Sequence, residues 1–316
     1  MRFKTLAASL AILALGLTGA TAWRLSARES AALAAHPPTG QFAVVDGRKV
    51  HMQVQGSGPD LVLIHGASGN LRDFAMGLSS RLAARYRVIL VDRPGLGYSD
   101  ALPDKDTSVA GQARVLRAAV AQIGATNPIV LGQSYGGAVA LAWALEEQPA
   151  ALVLVSGVSM PWPGTLDLWY RLTASMVGRA TLVPIASAFV PEAYVRRAVE
   201  AVFAPQSAPP GYADALGIDL TLRRGALEAN VSQINSLRPQ VVAMEPRYTG
   251  LDLPIELIHG DADTVVPLLV HAARLAPLLP NAALTVLPGV GHMPHHTNPD
   301  DVIAAIDRAA LRAGLR

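Results

Sequence analysis

A serine between two glycines is the clearest chemical signal in this sequence. Ser134 stands in Gly-Gln-Ser-Tyr-Gly, residues 132–136, directly after the apolar run 129–131. A serine at a sharp turn from a strand into a helix projects above the sheet, and the flanking glycines let the two backbones approach each other. The small residues from 137 to 142 would form that helix. The pattern therefore predicts a nucleophile elbow with Ser134 as the nucleophile.

A serine nucleophile needs an acidic partner for its base. Serine at its ordinary pKa is a poor nucleophile, so a histidine must accept its proton and a carboxylate must orient that histidine. Asp263 lies in the loop after the apolar run 255–258, and we predict that it is the acid. Asp261 is the alternative in the same loop, although loop stabilisation or capping of residues 264–266 explains it more simply. The loop 156–159 after the preceding strand contains no acid.

The base is expected in the loop after the last predicted strand. His292 follows a glycine-containing bend at 288–291 that can bring the imidazole over the sheet. His295 and His296 come after Pro294, where we expect them to be solvated. A metal site formed by these histidines is disfavoured, because neither a His-Glu-x-x-His pattern nor a cysteine accompanies them. We predict that His292 is the base and that no metal or cofactor is needed.

Attack on a carbonyl group creates an oxyanion that backbone N–H groups must stabilise. The segment His-Gly-Ala-Ser at 65–68 follows the apolar run 61–64 and can supply one donor. The residue after the nucleophile can supply the other. We therefore assign the oxyanion hole to the amides of Ala67 and Tyr135, and we interpret His65 as a residue that packs the loop.

The elements that would position these residues alternate between strands and helices. Asp46-Gly47 indicates a β-hairpin near the start of the folded body. Short apolar runs typical of buried parallel strands follow, at 61–64, 88–91, 129–131, 152–155, 255–258 and 284–287. Helical patterns separate most of them, at 71–85, 108–123, 137–147, 268–279 and 299–311. The sequence predicts an α/β fold with a mostly parallel, doubly wound sheet.

The alternation stops between residues 159 and 248. This segment has no convincing strand but contains helical patterns at 166–177, 192–203 and 226–237. We interpret 159–248 as a helical cap inserted into a core made of 41–158 and 249–316. Its apolar side chains suggest an apolar pocket, although most of them should pack inside the cap; they are Met160, Trp162, Trp169, Tyr170, Met176 and Phe203.

The amino terminus has the pattern of an export segment. Arg2 and Lys4 precede an uncharged, mostly apolar run at 5–23, which is typical of a signal peptide or a membrane anchor. Residues 1–23 would thus export the body, which would either stay anchored to a membrane or be secreted or periplasmic after cleavage, and 24–40 would be a linker. The 316 residues carry a net charge of only +2 and show no basic stripe, which excludes a nucleic-acid surface; without cysteine, disulfides are also excluded.

In these motifs the chain resembles the α/β-hydrolase fold enzymes that carry a helical cap. The resemblance rests on residues 63–66, 91–99, 132–137, 260–267 and 291–292. In that family the loop 92–99 is structural, which implies a scaffold role for Asp92 and Arg93. Haloalkane dehalogenases and epoxide hydrolases of this outline use aspartate at the elbow, so Ser134 implies acyl chemistry instead.

Hydrolysis of a carboxylic ester is the leading functional hypothesis, with a small apolar acyl substrate. Fold alone does not decide the reaction. Hydrolysis of carbon–carbon bonds in ring-cleavage products and cofactor-free perhydrolase activity, of the haloperoxidase kind, are compatible with the same residues. A non-catalytic, membrane-tethered binding module is a more remote alternative.

Overall fold

The computed structural model describes residues 2–103 and 106–316, and only the backbone of residues 2–8 and 10–14. Within these residues eight strands form one sheet: β1 (Gln41–Val45), β2 (Arg48–Gln55), β3 (Asp60–Ile64), β4 (Arg87–Val91), β5 (Ile129–Gln133), β6 (Ala151–Val155), β7 (Ile255–Gly260) and β8 (Ala282–Leu287). Their order is β1-β2-β4-β3-β5-β6-β7-β8. The first hairpin and the β2–β4 pair are antiparallel, and all other pairs are parallel. The predicted α/β fold with a mostly parallel sheet is confirmed.

Helices cover both faces of the sheet. The helices in the described part of the chain, including those away from the sheet, are α1 (Arg2–Ala35), α2 (Arg72–Ala75), α3 (Leu78–Leu82), α4 (Val109–Ala121), α5 (Tyr135–Glu146), α6 (Leu168–Thr173), α7 (Met176–Phe189), α8 (Glu192–Ala201), α9 (Tyr212–Leu216), α10 (Ile218–Thr221), α11 (Arg224–Met244), α12 (Ala272–Leu275), α13 (Pro294–Thr297) and α14 (Pro299–Arg312). Because both faces are covered, the central strands are apolar throughout. Val62 and Ile64 of β3 pack into the core on one face, whereas Leu61 and Leu63 pack into the core on the other.

Two predicted helices are shorter than expected. The pattern at 71–85 is divided into α2 and α3 by Gly77, whose φ of 105° lies in a region that favours glycine. The pattern at 268–279 gives only α12 and a 3-10 turn at Ala276–Leu278. Pro277 lacks an N–H and cannot continue the α-helical bonding.

The predicted linker at 24–40 is wrong over its first twelve residues, because α1 continues to Ala35. Arg24 donates to the carbonyl oxygen of Ala188 at 2.7 Å, and Arg28 donates to that of Ser187 at 3.0 Å. These bonds fix the second half of α1 to the end of α7. Among the described residues, no helix is long and apolar enough to cross a membrane. In the predicted export segment 1–23, the side chains of residues 1–8 and 10–14 lie outside the described residues.

The helices α6 to α11 lie between β6 and β7, in the segment 159–248 that we call the cap. Trp162, Tyr170 and Leu237 of the cap line the same cavity as Ser134 and His292. The cap therefore covers the carboxyl ends of the central parallel strands, which is where open α/β sheets place their ligands.

Candidate active site

Ser134 occupies a strained turn between β5 and α5. Its φ of 52° and ψ of −120° are rare for a residue with a side chain. A side chain at Gly132 would collide with the carbonyl oxygen of Gly136, and one at Gly136 would collide with that of Ile64. The glycines of the motif are thus required by close backbone approach, and they leave the serine hydroxyl at the carboxyl edge of the sheet.

The structure brings together the three residues predicted to form a triad. Ser134 Oγ lies 2.9 Å from His292 Nε2, and His292 Nδ1 lies 2.8 Å from Asp263 Oδ2. All three are buried. In this arrangement the serine O–H donates to Nε2, and Nδ1–H donates to the carboxylate, so the imidazole can accept the serine proton.

Asp263 is held as a carboxylate by several donors. Its Oδ1 accepts from the amides of Val265 at 2.9 Å and Val266 at 2.8 Å. Burial alone would raise the pKa of Asp263, but hydrogen bonds from His259 and His292 outweigh it and hold that pKa well below its ordinary range. Sequence reasoning missed His259. It stands four residues before Asp263, and its Nε2 lies 3.3 Å from Oδ2.

Asp261, the alternative acid, lies outside this chain of bonds. Its Oδ1 accepts from the amide of Gly289 at 2.6 Å and so stabilises the loop that carries His292.

Gln206 of the cap binds the same loop. Its amide donates to Gly289 O at 2.7 Å, and its Oε1 accepts from Gly291 N at 2.9 Å. The loop before His292 is therefore fixed by one core residue and one cap residue.

The predicted oxyanion donors, Ala67 and Tyr135, both line the cavity beside Ser134. Tyr135 is the first residue of α5, so its N–H has no acceptor within the helix. Arg93 holds the two donor segments together. Its guanidinium donates to the carbonyl oxygens of His65 at 3.0 Å and Gly66 at 2.9 Å and lies 4.2 Å from the centre of the Tyr135 ring.

His65 and Asp92 support the loops around the site. The amide of Arg93 donates to His65 Nε2 at 3.0 Å, and burial lowers the pKa of His65 to about 4. His65 is therefore neutral near pH 7. Asp92 accepts from the amides of Leu71 at 2.7 Å and Tyr98 at 2.8 Å. These contacts agree with loop packing by His65 and with a scaffold role for Asp92 and Arg93.

The cavity above Ser134 has a volume of about 540 Å³ and is mostly apolar. Among the described residues that line it, none is Lys or Arg, and Asp167 is the one carboxylate. His271 adds no charge near pH 7. Its Nδ1 accepts from the amides of Ser159 and Met160, both at 3.2 Å, and burial lowers its pKa to about 4. The cavity thus suits an uncharged, apolar group.

The apolar cap residues singled out in the sequence have different environments. Trp162 and Tyr170 line the cavity. Met160 and Phe203 are buried in the interior, and Trp169 packs against a small cluster inside the cap. Met176 differs from all of them, because it is 80% exposed.

The expectation that His295 and His296 are solvated is wrong. Asp73 accepts from His295 Nε2 at 3.1 Å, from His296 Nε2 at 2.8 Å and from the hydroxyl of Tyr212, on the cap, at 2.7 Å. We call these four residues the Asp73 cluster. Burial would raise the pKa of Asp73, but the two histidines hold it well below its ordinary range, and burial lowers the pKa of His295 to about 4.

Asp73, His295 and His296 are also the residues that could hold a metal ion. Their ligand atoms lie within 4.8 Å of one another. The second ring nitrogen of His295 is buried and has no hydrogen-bond partner in the described part of the chain. Metal-binding histidines usually donate from that nitrogen to an acceptor. The cluster is therefore better explained as a hydrogen-bonded brace between the core, the His292 segment and the cap.

A mostly parallel sheet with a serine elbow and a capped cavity defines an α/β-hydrolase architecture. The family model for the alpha/beta hydrolase fold matches residues 59–299. The chain belongs to this family.

Similar proteins include hydrolases and a protein of undescribed activity. An uncharacterized protein of Mycobacterium tuberculosis strain H37Rv is 30% identical over 303 residues, covering 89% of this chain and 87% of that protein. The 2-hydroxy-6-oxononadienedioate/2-hydroxy-6-oxononatrienedioate hydrolase of Klebsiella pneumoniae is 29% identical over 235 residues, covering 71% and 74%. Among solved structures, an esterase from Rhodococcus sp. ECU1013 matches with a TM-score of 0.62 and 25% identity, covering 86% of this chain and 98% of that one.

Proposed function

We propose that this protein is a serine hydrolase that cleaves carboxylic esters through an acyl-enzyme. The observation that carries the proposal is the continuous chain of bonds from Ser134 Oγ through His292 to Asp263, at 2.9 and 2.8 Å. Asp263 is held as a carboxylate, as its role requires, and can stabilise an imidazolium at His292.

The reaction would proceed in two halves. Ser134 Oγ attacks the ester carbonyl while its proton passes to His292 Nε2, and the amides of Ala67 and Tyr135 donate to the oxyanion. Collapse of the tetrahedral intermediate expels the alcohol, which takes the proton from His292. A water molecule then attacks the acyl group on Ser134, His292 accepts a proton from that water and returns it to Ser134 Oγ, and the carboxylic acid leaves.

The cavity supports an uncharged substrate. A dienedioate such as the one in the name of the Klebsiella relative carries two carboxylates. Burying them beside Asp167, without an Arg or Lys among the described lining residues, would leave their charges unpaired. An ester with an apolar acyl chain needs no such partner. The apolar lining and the charge of the cavity therefore favour ester hydrolysis over carbon–carbon bond hydrolysis.

The test is a panel of p-nitrophenyl esters of increasing acyl length, assayed with the wild type and with Ser134→Ala. We expect wild-type turnover that exceeds that of the variant by at least about 10³-fold, as for the loss of a serine nucleophile. A fluorophosphonate probe should label the wild type but not the variant. Equal turnover by both proteins, or turnover of a ring-cleavage diketone without any ester turnover, would refute the proposal.

We also propose, from the sequence pattern, that residues 5–23 export the chain and associate it with the membrane. Arg2 and Lys4 before an uncharged run support this placement. Alkaline phosphatase fused after residue 40 should be active, because that enzyme needs an oxidising compartment to form its disulfides. A fusion that lacks residues 2–23 should be inactive, and equal activity of the two fusions would contradict export.

A further inference from the structure

The first part of the cap exposes an unusual amount of apolar surface. Leu168 and Leu172 of α6 are 64% and 50% exposed, and Val177 of α7 is 70% exposed. Ile185 and Phe189 of the same helix are 51% and 43% exposed, and because they are four residues apart they are neighbours on its surface. With Met176, these residues form what we call the outer cap face. Apolar patches of this kind on a soluble domain mark sites of interaction.

The charged side chains of α6 and α7 are all basic. Between residues 168 and 191 the sequence has no Asp or Glu, but it has Arg171 and Arg179. Asp167, just before this segment, caps α6 by accepting from the amide of Tyr170 at 3.3 Å and also lines the cavity, whereas Glu228 of α11 lines a second cavity together with Met176 and Arg179. An apolar surface on helices whose own charged side chains are all basic is complementary to anionic lipid headgroups.

The outer cap face adjoins the helix that carries the predicted export segment. Arg24 and Arg28 of α1 bond to carbonyl oxygens at the end of α7, and the Arg24 guanidinium lies 5.4 Å from the centre of the Phe189 ring. Trp23, one residue earlier, is largely exposed. Two apolar surfaces, one on α1 and one on the cap, are thus held together by specific bonds.

The same short segment also forms part of the cavity wall. Leu166 and Tyr170 line the cavity that contains Ser134, whereas Leu168 and Leu172 of the same segment face outward. A surface bound to the outer cap face would therefore lie one helix away from the site.

We propose that the outer cap face binds a bilayer surface containing anionic lipids, and that the site takes an apolar acyl substrate from this bilayer. The second clause rests on the proposed ester hydrolysis, and the first does not. A second copy of the chain fits the face less well. In a twofold pair that joins α6 to α6, Arg171 would approach its own counterpart, and α6 and α7 carry no carboxylate to pair with it.

A single fluorescent label tests the binding directly. The chain contains no cysteine, so Val177→Cys in the full-length protein accepts one environment-sensitive fluorophore. Leu311→Cys, on α14 and 66% exposed, is the matched control. In vesicles of phosphatidylcholine and phosphatidylglycerol with brominated acyl chains, we expect strong quenching of the label at 177 and little at 311. Equal quenching at both positions refutes the proposal, as does shielding at 177 that depends on protein concentration and not on lipid.

A charge-introducing variant tests delivery of the substrate. Leu172→Glu with Met176→Glu should lower the hydrolysis of a long-chain ester embedded in anionic vesicles by about tenfold, the factor expected when the burial of about one such side chain is lost. Hydrolysis of a dissolved short-chain ester should be unchanged. An equal loss on both substrates, or no loss on vesicles, contradicts delivery from the bilayer. Quenching at 177 without ester turnover would leave the lipid contact standing and refute the proposed function.

Discussion

The two ends of the cap differ sharply in how they are joined to the rest of the molecule. Residues 203–233 are tied to the core by polar bonds, including those of Gln206 to the His292 loop, of Tyr212 to Asp73 and of Asn230 to the amide of Ser68. Residues 166–190 bind instead to α1 and α11 and leave apolar side chains in solvent. We call these the fixed end and the apolar end.

The two ends of the cap therefore have different roles. The fixed end contacts two of the loops that carry site residues, since Gln206 binds the loop before His292 and Asn230 binds the loop after Ala67. The side chains of a triad must be positioned to within a fraction of an ångström, and hydrogen bonds from the cap to these loops can hold them that accurately. The apolar end forms part of the cavity wall and part of the outer surface. It does not need to position reacting atoms as accurately.

Removal of the Asp73 carboxylate should lower the stability of the protein more than any other change considered at the fixed end. Asp73→Asn would leave three buried donors competing for one oxygen, and we expect a loss of about 3 kcal/mol in the free energy of unfolding. Urea denaturation measures it. Asp214→Asn is the control, because Asp214 lies in the same helix as Tyr212 but is exposed, and little change is expected there. Similar stability of the two variants would mean that the Asp73 cluster does not brace the cap.

Lowering the pH should reduce the stability of the fixed end before that of the apolar end. Burial lowers the pKa of His65, His271 and His295 from 6.5 to about 4, so between these values the unfolded chain binds protons that the folded chain does not. Stability therefore falls as the pH falls from 6.5 to 4, by about 1 kcal/mol per pH unit for each such group. The pKa of Asp73 is also lowered, so its contribution is present above 3.8 and is lost at lower pH.

Urea midpoints at pH 7 and pH 5 measure this dependence, and His295→Gln should make it shallower. Hydrogen exchange, corrected for its intrinsic rate, should increase more over 203–216 than over 176–189 when the pH is lowered to 5. Tyr212, in the first of these segments, donates to the Asp73 carboxylate that also binds His295 and His296. A uniform increase over the whole cap would show that its two ends respond as one unit.

Gln206 should affect the reaction more than the fold. Gln206→Ala removes two bonds from the loop before His292, and a less well-held imidazole should lower kcat by about tenfold while leaving KM nearly unchanged. Steady-state kinetics on the best ester measure both values. Gln148→Ala, which removes exposed bonds far from the site, is the control. A rise in KM with an unchanged kcat would place Gln206 in substrate binding instead of loop positioning.

The contrast between the two ends also explains what the sequence could predict. The strands and the elbow follow from local patterns, such as the apolar run at 129–131 and the glycines around Ser134, and the three triad residues stand at loop positions that such a sheet defines. The Asp73 cluster joins residues 222 and 223 positions apart, and no local pattern links them. Sequence reasoning therefore predicts a solvated His295, which is wrong. The continuation of α1 past residue 24 likewise depends on contacts with α7, which lies more than 150 residues later.

The smallest effect is expected at the apolar end. Met176 is 80% exposed, so Met176→Ser should change the free energy of unfolding by less than about 0.5 kcal/mol. Val183→Ser, on the same helix but fully buried, should cost several times more, because it buries a hydroxyl in place of a packed side chain. Urea denaturation of both variants in the absence of lipid measures the ratio. Equal destabilisation by Met176→Ser and Val183→Ser would mean that Met176 is buried in solution. The apolar end would then have no free apolar surface, and the difference between the two ends of the cap would be refuted.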